Sequence, residues 1–574
     1  MSGEEEHKPS RTLNIAGNCA AAMRSLRSPT EERTLWIDSI CIDQTSLDER
    51  SSQVALMGEV YRDAARVVVW LGEKDAAAET AMRLLEEIGD VDSVRREMGL
   101  EGRPRSEDAA ALDVVAAFKA RLHAQARELT ADATTAEKDK IGPLFRRSWF
   151  SRMWTIQEVT FPQPPNVVVQ CGDIALPWLR LYMAVDILGA IKYRWGGWED
   201  SMRLQTHLVE SMMLHRVPGA RALMDQVRPA RSVRGLTLAL VLIRCREKAA
   251  TDPKDKVYAL YGLLQDMKVD GLSLPDYRRE LADIYAEVTA ASIRFDKSLF
   301  VLSYVASDRR REDLSSWVPD WSDRGWKESD VRYPVVRDRF AAAGGAEAKW
   351  EFPPGRPKEM VVYGMIVDEV IYRGGSYPRV PTAQSTDELQ DFHRVYETMR
   401  EWVDISSWTG GSPYPTGERV EDALRTTLMN DEPENNGDAA AMQSYAAWLE
   451  IMRTGVKPSS HLQAQGSVSV EMETLIGITR SPAWQFHNLA MVFSVNKTFF
   501  RTGEGYFGTA PDGFPDPIRS DDVVAVVAGM AMPVVLRPVD SGRFRLISHC
   551  YLHGIMYGEE WERRGGDGRE IILV

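Results

Sequence analysis

The spacing of hydrophobic residues near the N-terminus changes from one segment to the next, which predicts alternating helices and strands. Apolar residues recur at helical spacing around Leu13–Leu26, and a largely apolar run follows at Leu35–Ile42. Helical spacing returns within residues 46–61, and Val67–Gly72 is a second apolar run, rich in β-branched valine and ended by glycine. Because both runs are mostly apolar rather than alternating, they predict strands of a parallel sheet covered by helices on both faces.

The start of the helix between these two runs is marked by a capping pattern. Ser46-Leu47-Asp48-Glu49 is a Ser-x-x-Glu capping box, in which the serine hydroxyl accepts a hydrogen bond from the backbone N–H of the glutamate. The glutamate carboxylate is expected to reach back to the serine amide. Val54, Met57 and Tyr61 follow at helical spacing and predict the buried face of this helix.

The pattern along the rest of the chain predicts four regions. These are an N-terminal α/β domain at residues 10–165 with a helical insertion at 74–140, a helical region at 166–320, an irregular α+β region at 321–480, and a small, mostly antiparallel β region at 481–574. The longest apolar run, Val523–Leu536, is shorter than the roughly 20 residues that cross a bilayer. It predicts buried strands and no membrane span.

Charge and cysteine usage narrow the class of protein. The 574 residues carry a formal net charge of −14 without a long basic block, which argues against nucleic acid as a partner. The five cysteines are scattered and form no Cys-x-x-Cys pair, so we expect reduced thiols, with Cys41 a small buried core residue. The polar, acidic N-terminus does not resemble a secretory signal, and we expect a cytoplasmic protein.

Several stretches resemble the fungal heterokaryon incompatibility (HET) domain family. The three most specific stretches are Leu35–Gln44 followed by Glu49–Arg50, then Val67–Gly72, then Trp149–Glu158. Four further stretches are similar to the usual continuation of such proteins: Asp252–Gly262, Gly505–Gly508, Pro533–Arg537 and Gly554–Glu559. The resemblance implies a protein of non-self recognition and programmed cell death. HET domains usually open with a Tyr-x-Ala-Leu-Ser-Tyr-x-Trp-Gly strand, and we expect this chain to begin after it. A truncated, inactive paralogue is therefore one of the open alternatives.

A second resemblance concerns chemistry. HET domains are similar in fold to TIR domains, which implies a TIR-like, flavodoxin-like parallel sheet with helices. Some TIR domains cleave the nicotinamide–ribose bond of NAD with a glutamate in a Ser-x-x-Trp-Cys-x-x-Glu-like segment. Ser151, Trp154 and Glu158 have this spacing, with Thr155 at the position of the cysteine. NAD is thus a candidate substrate, and no cofactor is expected.

The chemistry expected of this segment follows from helical spacing. Trp154 and Glu158 are four residues apart, so that a helix places them on one face. The indole of Trp154 could stack on a flat ring of the substrate. Glu158 is the candidate catalytic residue, since its carboxylate could hold ribose hydroxyls or stabilise an oxocarbenium-like centre. In the structural alternative, Trp154 is a core residue and Glu158 pairs with Arg152 or another neighbour.

Four further polar residues are candidate substrate contacts. Asp38, Asp43 and Gln44 lie in or just after the first predicted strand, at the end where open α/β sheets bind ligands. Arg50 follows in the first turn of the next helix and could bind a phosphate. The alternatives are that the first three bond loop amides and cap the helix, and that Arg50 forms solvated ion pairs with the neighbouring acidic residues.

Three other sequence patterns do not indicate a catalytic or binding site. Gly503–Gly508 fits Gly-x-Gly-x-x-Gly, but no helix is predicted after it, and it is typical of a hairpin. His549 and His553 would lie about 13 Å apart in a strand, so we expect no metal site. The charged segment Asp252–Lys256 is interpreted as helix capping and inter-domain packing.

Two mechanisms remain open at this point. In the first, the N-terminal domain hydrolyses NAD, and oligomerisation assembles the pocket. In the second, the domain is a non-catalytic signalling module that associates with copies of itself or with other signalling domains. The two differ in whether Glu158 is required for cell killing.

Overall fold

The structure is a computed structural model in which the chain forms two compact units, Met1–Ile284 and Tyr285–Val574. It describes residues 14–90, 93, 96, 97, 120, 121, 123–128, 141–190, 237–306, 310–323, 339–377, 388–407, 413–431, 439–455, 477–511, 513, 517–540, 542–566 and 568–574. Across these ranges, no helix is long and apolar enough to cross a membrane.

The first unit combines short and medium helices with a small sheet. Its described helices are α1 (Gly17–Leu26), α2 (Asp38–Cys41), α3 (Leu47–Asp63), α4 (Ala76–Ile88), α5 (Gly142–Phe145), α6 (Ser148–Ser151), α7 (Thr155–Thr160), α8 (Trp178–Ala190), α9 (Leu238–Cys245), α10 (Asp255–Tyr258) and α11 (Tyr261–Asp266). Its strands are β1 (Val67–Trp70), β2 (Val167–Cys171) and β3 (Ile174–Pro177).

The sheet of the first unit is mixed rather than wholly parallel. β1 runs parallel to β2, with Val67 opposite Val167, and β3 returns antiparallel to β2. The reversal occurs at a two-residue turn, where Gly172 has a φ of +59°, a conformation that favours glycine. The expectation of a purely parallel sheet is therefore wrong for β3. The sheet also extends beyond residue 165, the predicted end of the N-terminal domain.

The predicted strand at Leu35–Ile42 is wrong. The structure describes all of these residues, and they form the single helical turn α2 between extended residues. The Asp38 carboxylate accepts a hydrogen bond from the Ser39 backbone N–H at 2.7 Å, a local bond that competes with strand pairing. Leu35 is exposed, and so is Cys41, which contradicts the expectation that Cys41 is a core residue.

The helix after this turn is confirmed. The Ser46 hydroxyl accepts from the Glu49 N–H at 3.3 Å, as the capping box predicts. The Glu49 carboxylate, however, accepts from the Asp43 N–H at 2.9 Å rather than from the serine amide, because residues 43–46 form a turn ahead of the helix. Val54 and Met57 are buried along α3.

The second unit is built around a larger sheet. Its strands are β4 (Trp350–Glu351), β5 (Met360–Ser376), β6 (Lys497–Thr502), β7 (Phe507–Pro511), β8 (Val523–Val527), β9 (Val534–Asp540), β10 (Arg543–His549), β11 (Tyr551–Leu552) and β12 (Arg569–Leu573). The order is β11-β7-β6-β5-β12-β10-β9-β8, and β5 also pairs with β8. The strands β5, β12, β10, β9 and β8 thus form a closed ring. The hairpin predicted around Gly503–Gly508 is confirmed as β6–β7.

Helices complete the second half of the chain. The described residues of 281–574 include α12 (Leu281–Asp296), α13 (Glu388–Ser407), α14 (Val420–Leu428), α15 (Ala439–Thr454), α16 (Ala483–Ser494) and α17 (Glu559–Arg563). Several of them enclose an aromatic core that contains Trp402, Trp448 and Phe486. The mostly antiparallel C-terminal β region is confirmed, with two differences: α16 lies inside it, and the long strand β5 comes from the block predicted as irregular.

Candidate functional site

Glu158 lies on α7 with its carboxylate held by a tryptophan. Its Oε2 accepts a hydrogen bond from Trp149 Nε1 at 2.6 Å. The Trp149 ring is buried and packs edge-on against Phe150 and Trp178, which fixes the donor. Burial raises the pKa of Glu158, whereas the bond from Trp149 and the positive charge of Arg152 lower it. The result is a half-buried acid in a defined orientation.

Asp38 and Arg152 lie next to this acid. Arg152 Nη2 is 3.9 Å from Asp38 Oδ2, and both side chains are partly exposed to solvent. The negative charge of Asp38 also raises the pKa of Glu158. The phenol of Tyr61 completes the group, since its pKa is raised by burial and then by the charges of Glu158 and Asp38. We call Asp38, Tyr61, Arg152 and Glu158 the acid cluster.

Trp154 is turned to a different partner. Its indole Nε1 donates to Asp255 Oδ2 at 3.2 Å, whereas Glu158 is bonded to Trp149. Trp154 is the N-cap residue of α7 and is half-buried. Trp154 and Glu158 are four residues apart at the start of α7, but their polar atoms contact different groups, and no contact brings the two side chains to a common partner.

Arg50 lies in the same network as Trp154. Its Nη2 is 3.2 Å from Asp252 Oδ2 and 3.4 Å from Asp255 Oδ1, and its guanidinium lies 3.6 Å from the centre of the Tyr277 ring. Tyr277 donates its hydroxyl to Asp255 Oδ1 at 2.5 Å. We call Arg50, Trp154, Asp252, Asp255 and Tyr277 the Asp255 clasp. Its carboxylates lie inside the segment that was expected to serve capping and packing.

The alternative proposed for Arg50, an ion pair with its sequence neighbours, is wrong. Asp48 instead forms an exposed ion pair with Arg278. The carboxylate of Glu49 is bonded to the backbone of residue 43. Helical geometry points the three side chains in different directions, so that Arg50 faces residues 252–277.

Asp43 and Gln44 make local bonds. Asp43 Oδ1 accepts from the backbone N–H of Thr45 at 2.9 Å and from its hydroxyl at 2.7 Å. Gln44 Nε2 donates to the Asp38 carbonyl at 3.3 Å. These contacts order the turn between α2 and α3, in agreement with the loop alternative, and Gln44 ties that turn to the acid cluster.

The structure adds residues that sequence reasoning missed. Lys248 is buried and donates to the Phe150 carbonyl at 2.6 Å. Lys256 donates to the carbonyls of Arg246 and Lys248 rather than to an acidic side chain. The only signal in the sequence was the family-like stretch from Asp252, and Lys248 precedes it.

Within the residues that the structure describes, no group of three or more His, Cys, Asp or Glu side chains could hold a metal ion. His549 Nδ1 is 2.8 Å from the Ser303 carbonyl, and His553 Nε2 is 2.8 Å from Glu418 Oε1. Both histidines thus have other partners.

Comparison with known proteins shows which proteins the chain resembles. Residues 2–158 match the family model of the heterokaryon incompatibility protein (HET), and residues 459–569 match that of the Het-6 beta-barrel domain. The chain is also 24% identical to heterokaryon incompatibility protein 6, OR allele, of Neurospora crassa, over 96% of this chain and 85% of that relative. The chain is thus similar to a fungal heterokaryon incompatibility protein over nearly its whole length. The HET match ends at Glu158, so that Lys248 and the carboxylates of the Asp255 clasp lie outside it.

No solved structure matches the chain. The expected TIR-like fold of the HET segment therefore stays a prediction.

Proposed function

We propose that this protein acts in non-self recognition between fungal cells and triggers programmed cell death. The HET match, the C-terminal match and the name of the Neurospora relative support this proposal. The agreement extends over nearly the whole chain, so that the proposal concerns both units. It is tested by expressing the chain in a compatible strain and scoring viability after fusion with strains that carry other alleles.

As the chemistry behind this function, we propose cleavage of the nicotinamide–ribose bond of NAD at the acid cluster. The observation that carries the proposal is the half-buried carboxyl of Glu158, oriented by Trp149 and flanked by Asp38 and Arg152. An ionised carboxylate withdrawn from water interacts strongly with positive charge that develops on a sugar ring. NAD and water would yield ADP-ribose, nicotinamide and a proton.

The roles within the cluster follow from charge and exposure. Glu158 stabilises the oxocarbenium-like centre at C1′ as the nicotinamide leaves. Asp38, which is partly exposed, accepts hydrogen bonds from ribose hydroxyls, and Arg152 faces the pyrophosphate. Trp154 has its N–H bonded within the clasp. Trp36 is a second aromatic platform, since it packs edge-on at 5.7 Å against Tyr61 of the acid cluster.

The experiment compares nicotinamide release by purified full-length protein and matched variants. Glu158→Gln keeps an acceptor for the Trp149 N–H but removes the charge, and we expect a loss of about 10²-fold or more. Asp38→Asn should give a smaller loss. Glu79→Gln is the control, since Glu79 pairs with Arg83 on the exposed face of α4. Wild-type protein that releases no nicotinamide, even when concentrated or crowded, overturns the enzymatic proposal.

A second candidate is a non-catalytic module that signals by association with copies of itself or with other signalling domains. It is favoured by the Asp255 clasp, because two of the expected substrate contacts, Arg50 and Trp154, are bonded inside the protein. Leu56 on α3 is 46% exposed and offers an apolar contact for a partner. If the protein is such a non-catalytic module, Leu56→Glu abolishes cell killing, whereas Glu158→Gln leaves it intact. The reverse result supports the enzyme.

A further inference from the structure

Lys248 is a buried cation attached to the segment that carries the catalytic candidate. It is 2% exposed, and its Nζ donates to the Phe150 carbonyl at 2.6 Å. Backbone hydrogen bonds fix the chain at the same place. The Ala249 N–H donates to the Ser151 carbonyl at 2.5 Å, and the Met153 N–H donates to the Ala249 carbonyl at 2.8 Å. Residues 248–249 therefore lie along the loop that leads into α7.

The charge of this lysine acts on Glu158. It lowers the pKa of the Glu158 carboxyl, and Glu158 in turn raises the pKa of Lys248. Burial opposes both effects, since it raises the pKa of Glu158 and lowers the pKa of Lys248 to about 8. The lysine thus remains mostly protonated at neutral pH. The other groups that act electrostatically on the pair are Asp38, Tyr61, Trp149, Arg152, Cys245 and Glu247.

A buried ammonium at this place needs an explanation, because a long apolar side chain would fill similar space without the loss of hydration. The single carbonyl bond to Phe150 replaces only part of that hydration. Arg152 and Asp38 are partly exposed and partly neutralise each other. Lys248 is the fully buried cation among the charges that act on Glu158.

We propose that Lys248 is a positioning residue for Glu158: it anchors the Phe150 carbonyl ahead of α7 and holds a buried positive charge against the segment that carries Glu158. The inference rests on the proposed cleavage of NAD for its catalytic meaning. It places one determinant of the site about 90 residues beyond the end of the HET match, so that the working unit includes residues 248–249 as well as residues up to 158.

The test uses full-length protein with the charge removed or kept. Lys248→Gln retains a donor for the Phe150 carbonyl without the charge, and Lys248→Arg retains the charge. Lys254→Met is the control, because Lys254 also donates to a backbone carbonyl at 2.6 Å, but to that of Tyr277, a residue of the Asp255 clasp.

Two quantities are measured for each variant against pH. The first is the rate of nicotinamide release. The second is the fluorine resonance of Trp149 in protein labelled with 5-fluorotryptophan, assigned with Trp149→Phe, which reports the ionisation of Glu158 through their hydrogen bond. In Lys248→Gln we expect the acidic midpoint of both curves to rise by about half a pH unit or more, as the loss of a nearby opposite charge predicts. Lys248→Arg should stay near wild type, and Lys254→Met should not move the midpoint.

The outcomes separate this inference from the proposed enzyme. An unchanged Trp149 midpoint in folded Lys248→Gln overturns the role of Lys248. A shifted midpoint in protein that releases no nicotinamide supports the positioning role and overturns the NAD proposal. If Lys248→Gln does not fold, the same comparison between Lys248→Met and Lys248→Arg decides, because only the second keeps the charge.

Discussion

Trp154 donates its indole N–H to the Asp255 carboxylate at 3.2 Å, across 101 positions of the chain. Arg50 reaches the same carboxylate from α3, and Tyr277 donates to it from the other side. Three stretches that look like family motifs in the sequence thus meet at one buried group. Their residues hold segments of the first unit together, so that much of the motif pattern has a structural explanation.

The first prediction concerns Asp255 at the centre of the clasp. Asp255→Ala leaves the partly buried Arg50 with Asp252 as its single carboxylate partner. It also removes the acceptor of the Trp154 indole N–H and the Tyr277 hydroxyl. We expect the substitution to lower the free energy of unfolding by about 3 kcal/mol. Urea unfolding of the full chain measures this loss. Asp48→Ala, which removes an exposed ion pair of α3, should leave stability nearly unchanged.

A double-mutant cycle then isolates the bond between Trp154 and Asp255. Trp154→Phe alone should lower the free energy of unfolding by about 1 kcal/mol, and its effect should nearly vanish in the Asp255→Ala background. Additive effects of the two substitutions would show that the indole N–H and the carboxylate do not interact in solution.

Local signals in the sequence predicted the elements that local chemistry controls. The capping serine at residue 46 marks the start of α3, and the valines of β1 form a strand. The strand predicted at Leu35–Ile42 does not form, because Asp38 and Ser39 interrupt the apolar run and hydrogen-bond to each other. The 17-residue strand β5 was missed because it pairs with partners more than 100 positions away, such as β8 and β12.

The candidate site shows the same division. Helical spacing and the resemblance placed Glu158 in the site, and the structure brings Asp38 close to it through Arg152. The partners that decide the orientation of each side chain could not be read from spacing. Trp149 bonds Glu158 from within the same motif, whereas Asp255 and Lys248 approach from residues about 100 positions away, where no local pattern indicates the contact.

A second prediction concerns the close approach of α3 and α11. Gly58 and Gly262 both face the ring of Phe161, and a Cβ built on Gly262 would lie 2.9 Å from Phe161 Cζ. Because this distance is shorter than normal contact, Gly262→Ala should force the ring or a helix to move and lower the free energy of unfolding by about 1–3 kcal/mol. Gly17→Ala is the control, since a Cβ there has open space. If Gly262→Ala left the free energy of unfolding unchanged, α3 and α11 would be able to move apart easily.

A third prediction uses the buried ion pair of the second unit. Arg537 binds Asp522 through two nitrogens, at 2.8 and 3.0 Å, and the Asp522 side chain is fully buried. Arg537→Met leaves this carboxylate without its charged partner, and we expect a loss of about 3–5 kcal/mol in the free energy of unfolding. Arg543→Met removes a similar but exposed pair with Asp540 and should have little effect. Equal losses in the two variants would contradict the importance of burial.

A fourth prediction is that the aromatic core of the second unit is sensitive to acid through His487. This side chain is fully buried, and its Nδ1 accepts a hydrogen bond from Trp448 Nε1 at 3.3 Å, so that the ring is neutral. Burial lowers the pKa of His487 from its ordinary value of 6.5 to about 4. The unfolded chain therefore binds a proton below pH 6.5 that the folded protein does not take up until about pH 4. The stability contributed by the neutral ring is present above pH 6.5 and is lost as the pH falls through this window.

The measurement is the change in the free energy of unfolding between pH 7 and pH 5, from urea titrations followed by tryptophan fluorescence. For this single group, wild type should lose about 2 kcal/mol over that range. His487→Phe has no titrating group at this position, so the stability that it loses between pH 7 and pH 5 should be smaller by this amount. The variant is also less stable at every pH, because Trp448 loses its hydrogen-bond acceptor. His549, whose pKa is lowered in the same direction, is retained in both proteins and cancels in the comparison. An identical pH dependence in the two proteins would mean that His487 is reached by protons in the folded state.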